Sequence, residues 1–317
     1  MFNTVDCTFR DGGYQTNWHF NTSLVEEYLS LIHELGVEIA EIGFRSAVSE
    51  ENKDSGPFLF TDEKFLRGLS LPAELLLAVM INADEISNVE AEIDSLFIAA
   101  SQSRVSLVRI AARVNSVEKS LKIASHLQRK GYKVALNLMQ SSPELIRGEQ
   151  FRQISGLLES FDYLFLADSF GVLSPTEIKE MDSIIRKIRP DYGLHLHDNR
   201  GLAYANSLVA IQEGVQWLDA TALGLGRGAG NLRTEQLIID TCEREVLGSI
   251  EFSKLLKVLQ ALFKSTQGSE PKGLGALYFL GAKYNFHPNI VLGLIKNSDT
   301  ALALKLLTNQ EAKNHNV

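Results

Sequence analysis

The chain has 317 residues, 45% of them hydrophobic and 22% charged, with a formal net charge of −8. That length admits one large barrel or two smaller domains around a sizeable core. The acidic balance disfavours nucleic acid or an anionic membrane as the main partner, though not a local basic pocket for a small anion. Two cysteines, Cys7 and Cys242, are too few and too far apart for a disulfide framework, and the start Met1-Phe2-Asn3-Thr4-Val5-Asp6 lacks the basic-then-apolar order of a leader. No apolar run reaches membrane-spanning length, so a reducing, cytoplasmic setting is expected.

In chain order, eight short apolar runs rich in β-branched residues fill the first three quarters: 4–8, 37–43, 75–81, 105–110, 133–138, 163–167, 192–197 and 217–221. Between them lie amphipathic stretches of helical period, such as 23–35, 116–130, 143–158 and 175–188. Pro143 and Pro175 each follow a serine, the order of a helix cap and first turn, and Gly36, Gly131 and Gly214 stand where helices end. Alternating strands and helices imply a parallel sheet with right-handed crossovers. Eight such units over about 240 residues is the size of a closed (β/α)8 TIM barrel, with an open doubly wound sheet as the alternative. No GxGxxG follows the first strand and no Walker A sequence occurs, which disfavours the nucleotide-binding versions of the open sheet. From about residue 248 the strand signal stops; 252–264, 274–284, 288–295 and 300–307 read as helices and 309–317 as a polar tail. The expected division is a catalytic barrel over 1–247 and a helical extension over 248–317.

A barrel of this kind carries its active site at the C-terminal ends of its strands, and polar residues gather there. The informative stretch is His195-Leu196-His197-Asp198-Asn199. On a strand, residues i and i+2 face one side, so His195 and His197 can present two ring nitrogens to one divalent ion. Asp11, after the first strand, can add a carboxylate if the two strands are neighbours. Taken alone, the two histidines read equally well as an alternating core or surface pair. Arg10 reads either as the partner in a surface ion pair or as a cation that stabilises an oxyanion beside a metal. The loop Gly224 to Gly230 is either a flexible turn or a place of close backbone approach to a ligand. Asn231 at its end either caps the next helix or offers its amide oxygen as a further metal ligand.

These residues together resemble the metal-dependent lyase and aldolase superfamily that includes 3-hydroxy-3-methylglutaryl-CoA lyase, isopropylmalate synthase and 4-hydroxy-2-oxovalerate aldolase. The shared pattern is Arg10-Asp11-Gly12 after strand one, His195-Leu196-His197 on strand seven, and the glycine loop ending in Asn231, over roughly residues 4 to 240. The aldolase branch is the most similar, through Leu166 to Ser169, His195 to Ala210 and Gly224 to Asn231. The resemblance implies a metal-dependent carbon–carbon lyase acting on a 2-oxo acid such as pyruvate through an enolate. It implies Mn²⁺ or Mg²⁺ on Asp11, His195 and His197, with Asn231 a further ligand and with Zn²⁺ or Co²⁺ left open. Arg10 would hold the enolate and Ser169 would contact the substrate carboxylate. It also implies an aldehyde as second substrate or product, and relatives that hand it to an acylating aldehyde dehydrogenase. A homo-oligomer is the expected assembly.

Some positions depart from that pattern. Tyr14 stands where the aldolases carry a histidine base, and an ordinary tyrosine near ~10 is a poor base at neutral pH. It reads instead as a residue that positions water or donates to the substrate hydroxyl. Tyr278 resembles a tyrosine of the aldolases' helical extension that reaches the active site, and equally an amphipathic-helix core residue. Arg227 replaces a small residue of the glycine loop; with Arg45 and Arg113 it points to an acceptor bearing phosphate or carboxylate. A Schiff-base aldolase is disfavoured because no lysine lies in strand six or at its end. The competing readings are a Claisen-type enzyme using an acyl-CoA and an inactive barrel serving as a scaffold.

Overall fold

Eight parallel strands close on themselves in the order β1 to β8, each hydrogen-bonded to its neighbours and β8 back to β1. They are β1 (Asn3–Asp6), β2 (Ile39–Phe44), β3 (Leu76–Asn82), β4 (Val105–Ala112), β5 (Lys133–Leu138), β6 (Tyr163–Asp168), β7 (Gly193–Leu196) and β8 (Trp217–Ala220). The computed structural model describes residues 2–241, 249–266 and 286–296. All eight expected strands are present, and the closed TIM barrel rather than the open sheet is the fold. The strands are short and nearly continuous in apolar residues because both faces are covered. Their outer faces pack on the helical layer through residues such as Val79, Val108, Leu136 and Leu164. One end of the barrel interior is plugged by Val5, Cys7, Ile39, Ala78, Leu107, Ala135 and Phe165.

Local chemistry sets the helix ends. Ser174 caps helix Pro175–Ile185 in a reciprocal box with Glu177, and Ser142 caps Pro143–Arg147 by accepting from the Leu145 N–H. Gly214 ends Ala203–Glu213 at φ 83°, a conformation that costs a side-chain-bearing residue more than glycine. Two expectations need correction. The single helix over 143–158 is broken: Gly148 adopts extended backbone, leaving Pro143–Arg147, Glu149–Ile154 and a 3-10 turn over Ser155–Ser160. The first strand stops at Asp6 rather than continuing to residue 8. Asp6 accepts from the Thr8 N–H at 3.1 Å and the Thr8 hydroxyl at 3.0 Å, which turns the chain into a helical turn, Thr8–Asp11. The same carboxylate accepts from Tyr28 at 2.6 Å and Thr234 at 2.7 Å, so β1 is tied to the helices on both sides.

Beyond residue 248 the described residues are helical, Ser249–Thr266 and Pro288–Lys296. The first packs on helix Thr22–Glu34 and buries Leu255, Val258, Leu259 and Leu262. The helices expected over 274–284 and 300–307, the tail, Tyr278 and Cys242 lie outside the described residues.

Candidate active site

His195 lies in β7 directly beside Asp219 of β8, and that register decides its orientation. Asp219 Oδ2 is 2.9 Å from His195 Nδ1, leaving Nε2 turned towards Asp11 Oδ2 at 3.3 Å. His197 lies one residue past the strand, in an isolated antiparallel bridge with Asn231. Its ring is 5.0 Å from that of His195. Asp11, His195 and His197 are buried, and each can supply one ligand atom with all three within 4.8 Å of one another. Asp11 thus comes from the helical turn after β1 and the histidines from β7 and its extension. Burial and the adjacent His195 push His197 down to about 3, so its imidazole keeps a free lone pair. Burial alone would raise Asp11, but Arg10 and His195 outweigh it and hold the carboxylate well below its usual range.

The donor set fits a divalent cation. His197 Nδ1 and Asn231 Oδ1 are buried with no hydrogen-bond partner, and a buried orphan of this kind costs about 1–3 kcal/mol unless something satisfies it. The carboxylate-to-histidine bond from Asp219 is the arrangement that orients a ligating imidazole. Asn231 turns its amide nitrogen to Asp11, donating to Oδ2 at 2.7 Å and to the Leu225 carbonyl at 3.1 Å. The glycine loop makes this possible: a Cβ on Gly226 would fall 2.3 Å from Asn231 Nδ2. The loop is therefore a site of close approach, to Asn231.

Behind the cluster runs a closed circuit of charges, all buried. Arg10 lies 2.9 Å from Asp11 and 2.7 Å from Glu41; Arg109 lies 3.4 Å from Glu41 and 2.6 Å from Asp219; Asp219 holds His195, which returns to Asp11. Arg109 also donates to Asn137 Oδ1 at 3.2 Å and stacks over Phe165 at 4.1 Å. Arg10 is thus buried in the site and is not the surface ion pair. Asp219 was not singled out from the sequence, and the roles of Glu41 and Arg109 were not recognised. The available signal was a charged residue inside an otherwise apolar strand: Glu41 in β2, Arg109 in β4 and Asp219 in β8.

A cavity of about 240 Å³ opens over the two histidines at the C-terminal ends of the strands. Arg10, Tyr14, Ser169 and Arg227 line it, together with Asn82 and an apolar wall that includes Phe44 and Met80. Tyr14 packs edge-on against Trp18 and Phe44 and lies under the Arg227 guanidinium at 4.6 Å. Burial raises its hydroxyl above the usual phenol value, with Arg227 opposing. Two expected substrate cations lie elsewhere. Phe44 faces the cavity, so the next residue, Arg45, faces the helical layer. There it pairs with Glu63 at 2.9 Å, donates to the Thr61 carbonyl at 2.6 Å and covers Phe97. Arg113 lies just past β4, is 47% exposed and pairs with Asp84 at 2.8 Å.

Comparison with known proteins agrees with this fold. The family model described as HMGL-like matches residues 1–262. A 4-hydroxy-2-oxovalerate aldolase of Carboxydothermus hydrogenoformans is 26% identical over 262 residues, 81% of this chain and 75% of the aldolase. An oxaloacetate decarboxylase of Mycobacterium tuberculosis is 25% identical over 86% of this chain and 78% of its own length. Among solved structures, the N-terminal domain of a Bacteroides vulgatus protein described as a candidate aldolase superposes with a TM-score of 0.80 at 26% identity, covering 96% of this chain and 99% of that one. With the fold, the Asp-His-His cluster and a match over more than three quarters of its length, the chain belongs to the HMGL-like family.

Proposed function

We propose that the protein is a divalent-metal-dependent aldolase, a carbon–carbon lyase that acts on a 2-oxo acid through its enolate. The observation that carries this reading is the buried Asp11–His195–His197 cluster with Arg10 beside it, opening onto a cavity sized for a small molecule. Relatives named as 4-hydroxy-2-oxovalerate aldolases, at 26–29% identity, support it over the acyl-CoA and scaffold alternatives.

Asp11, His195 and His197 would hold the metal, Mn²⁺ or Mg²⁺ by the mixed oxygen and imidazole donors, with Asn231 steadying Asp11. When bound, the ion supplies Lewis-acid stabilisation of negative charge developing on a substrate oxygen. The protein's own residues do the rest. Arg10 Nη1 is fixed beside Asp11, and Glu41 fixes the Nε side, so the guanidinium is preorganised towards the same developing charge. Ser169 Oγ accepts from the Gln140 N–H at 2.9 Å, which leaves its own proton to donate to a substrate carboxylate. Tyr14 keeps the proton on its hydroxyl, which makes it a hydrogen-bond donor to the aldol hydroxyl and excludes it as the resting base. Phe44 and Met80 keep bulk water from one side of the cavity.

The test is exchange of the pyruvate methyl protons in D₂O, followed by NMR with and without Mn²⁺. Exchange that needs the metal and disappears in Asp11→Asn is the expected result. Wild-type protein that holds Mn²⁺ but exchanges neither pyruvate nor a longer 2-oxo acid overturns the reading.

A further inference from the structure

The cavity is lined by two guanidinium groups whose surroundings differ. Arg10 is compensated by Asp11 and Glu41. Arg227 is partly buried, and among the described residues no carboxylate lies within ion-pair distance of it. Its contacts are uncharged: the guanidinium carbon lies over the Tyr14 ring at 4.6 Å. His287, edge-on to Phe170 at 5.9 Å, is pushed down to about 4 by burial and by the Arg227 charge, so it stays neutral. Glu85 also lines the cavity, but it is exposed and accepts from Asn82 Nδ2 at 3.2 Å.

The charges around the metal cluster do not call for Arg227. Asp11, Glu41 and Asp219 set against Arg10 and Arg109 leave the circuit one negative charge in excess when both imidazoles are neutral. A divalent ion and one monocarboxylate bring that to neutrality, and among the described residues the Arg227 cation is still unmatched. A partly desolvated cation without a counter-ion is unfavourable until an anion reaches it. We infer that Arg227 makes the cavity selective for a 2-oxo acid carrying a second carboxylate at the end remote from its 2-oxo acid group. A planar guanidinium presents a two-donor fork and one unit of charge, which matches a carboxylate; a phosphate monoester brings nearly two charges. Arg227 is on this account a specificity residue, its plane set by the ring of Tyr14. The inference rests on the 2-oxo acid reading above.

The experiment is isothermal titration of the Mn²⁺-loaded protein with 2-oxoglutarate and with 2-oxopentanoate, ligands of equal chain length that differ in the distal carboxylate. Wild type is expected to prefer 2-oxoglutarate by on the order of tenfold, the scale of one charge-assisted hydrogen bond. In Arg227→Gln the ratio of the two affinities should fall towards one, and in Arg227→Lys, which restores the charge but not the planar fork, only part of it should return. Equal affinities in wild type overturn the inference, as does a preference that survives in Arg227→Gln. Equal loss for both ligands does so too, because Arg227 would then hold the shared carboxylate. Proton exchange next to the keto group of pyruvate and of 2-oxoglutarate in the same wild-type preparation separates the two proposals: preference with neither acid exchanging keeps the carboxylate site and overturns the aldolase, and exchange without preference does the reverse.

Discussion

Asp219 and Asp168 both belong to the C-terminal halves of the barrel strands and are both buried, yet their charges are treated in opposite ways. Asp219 lies 2.6 Å from Arg109 and 2.9 Å from His195; burial would raise it, but Arg109 and His195 carry it below the ordinary carboxylate value. Among the described residues Asp168 meets no cation. Its carboxylate accepts from the N–H groups of Val172 at 3.0 Å and Leu173 at 3.1 Å, which do not offset burial, and it is raised to about 6. The lesson concerns where ionised groups can be kept. On the β8–β1–β2 side two arginines reach inward, and Asp11 and Asp219 are both held below the ordinary carboxylate value; on the β6 side the described partners of Asp168 are peptide N–H groups, and the acid serves the turn over 169–173.

The sharpest way to break this contrast is to remove its cation. Arg109→Met leaves Glu41 and Asp219 buried without their shared partner, and the expected loss is about 3–5 kcal/mol in urea unfolding. A variant within about 1 kcal/mol of wild type would mean that Arg109 is not what makes the burial of these two side chains tolerable. The next effect is a pH dependence from Asp168. A folded-state value raised from about 3.9 to about 6 means that the folded protein binds the extra proton in that window. This acid's contribution is therefore fully favourable below pH ~4, declines as pH rises and levels off above pH ~6, by up to about 3 kcal/mol in total. Unfolding midpoints of wild type and Asp168→Asn, measured from pH 4 to 7, should diverge with that slope; parallel profiles would contradict it. The smallest expected effect is at Asp219 itself. Asp219→Asn keeps the shape but weakens the support of the His195 ring, and Mn²⁺ affinity read by titration should fall by roughly 10–100-fold. Unchanged affinity would show that His195 is oriented by something else.

Which of these residues could be read in advance follows from their position. His195, His197, Asp11 and Asn231 were legible because the fold type dictates that strand ends carry function, and a short motif spans each of them. Tyr14 and Ser169 were placed on the cavity by the same logic. Arg45 and Arg113 were misread as cavity residues, because a guanidinium one residue beyond a strand end has two directions to take. Only the positions of Phe44, Glu63, Thr61 and Asp84 decide between them. The broken helix at 143–158 was missed for a related reason: apolar periodicity continues through Gly148 although the backbone does not.

The amino-acid sequence by itself determined the alternation of strand and helix, the serine caps, the polar residues at the strand ends and the two imidazoles on one face. All of these depend on spacings within a few residues, where propensity and periodicity act. Tertiary structure alone decided the register of β7 on β8, which sets Asp219 beside His195, and the closure of β8 onto β1, which brings Asn231 within reach of Asp11, 220 residues apart in the chain. It also decided which charges are compensated. A carboxylate's partner is set by the register of neighbouring strands and by how far an arginine can reach across the barrel, and local sequence carries neither distance.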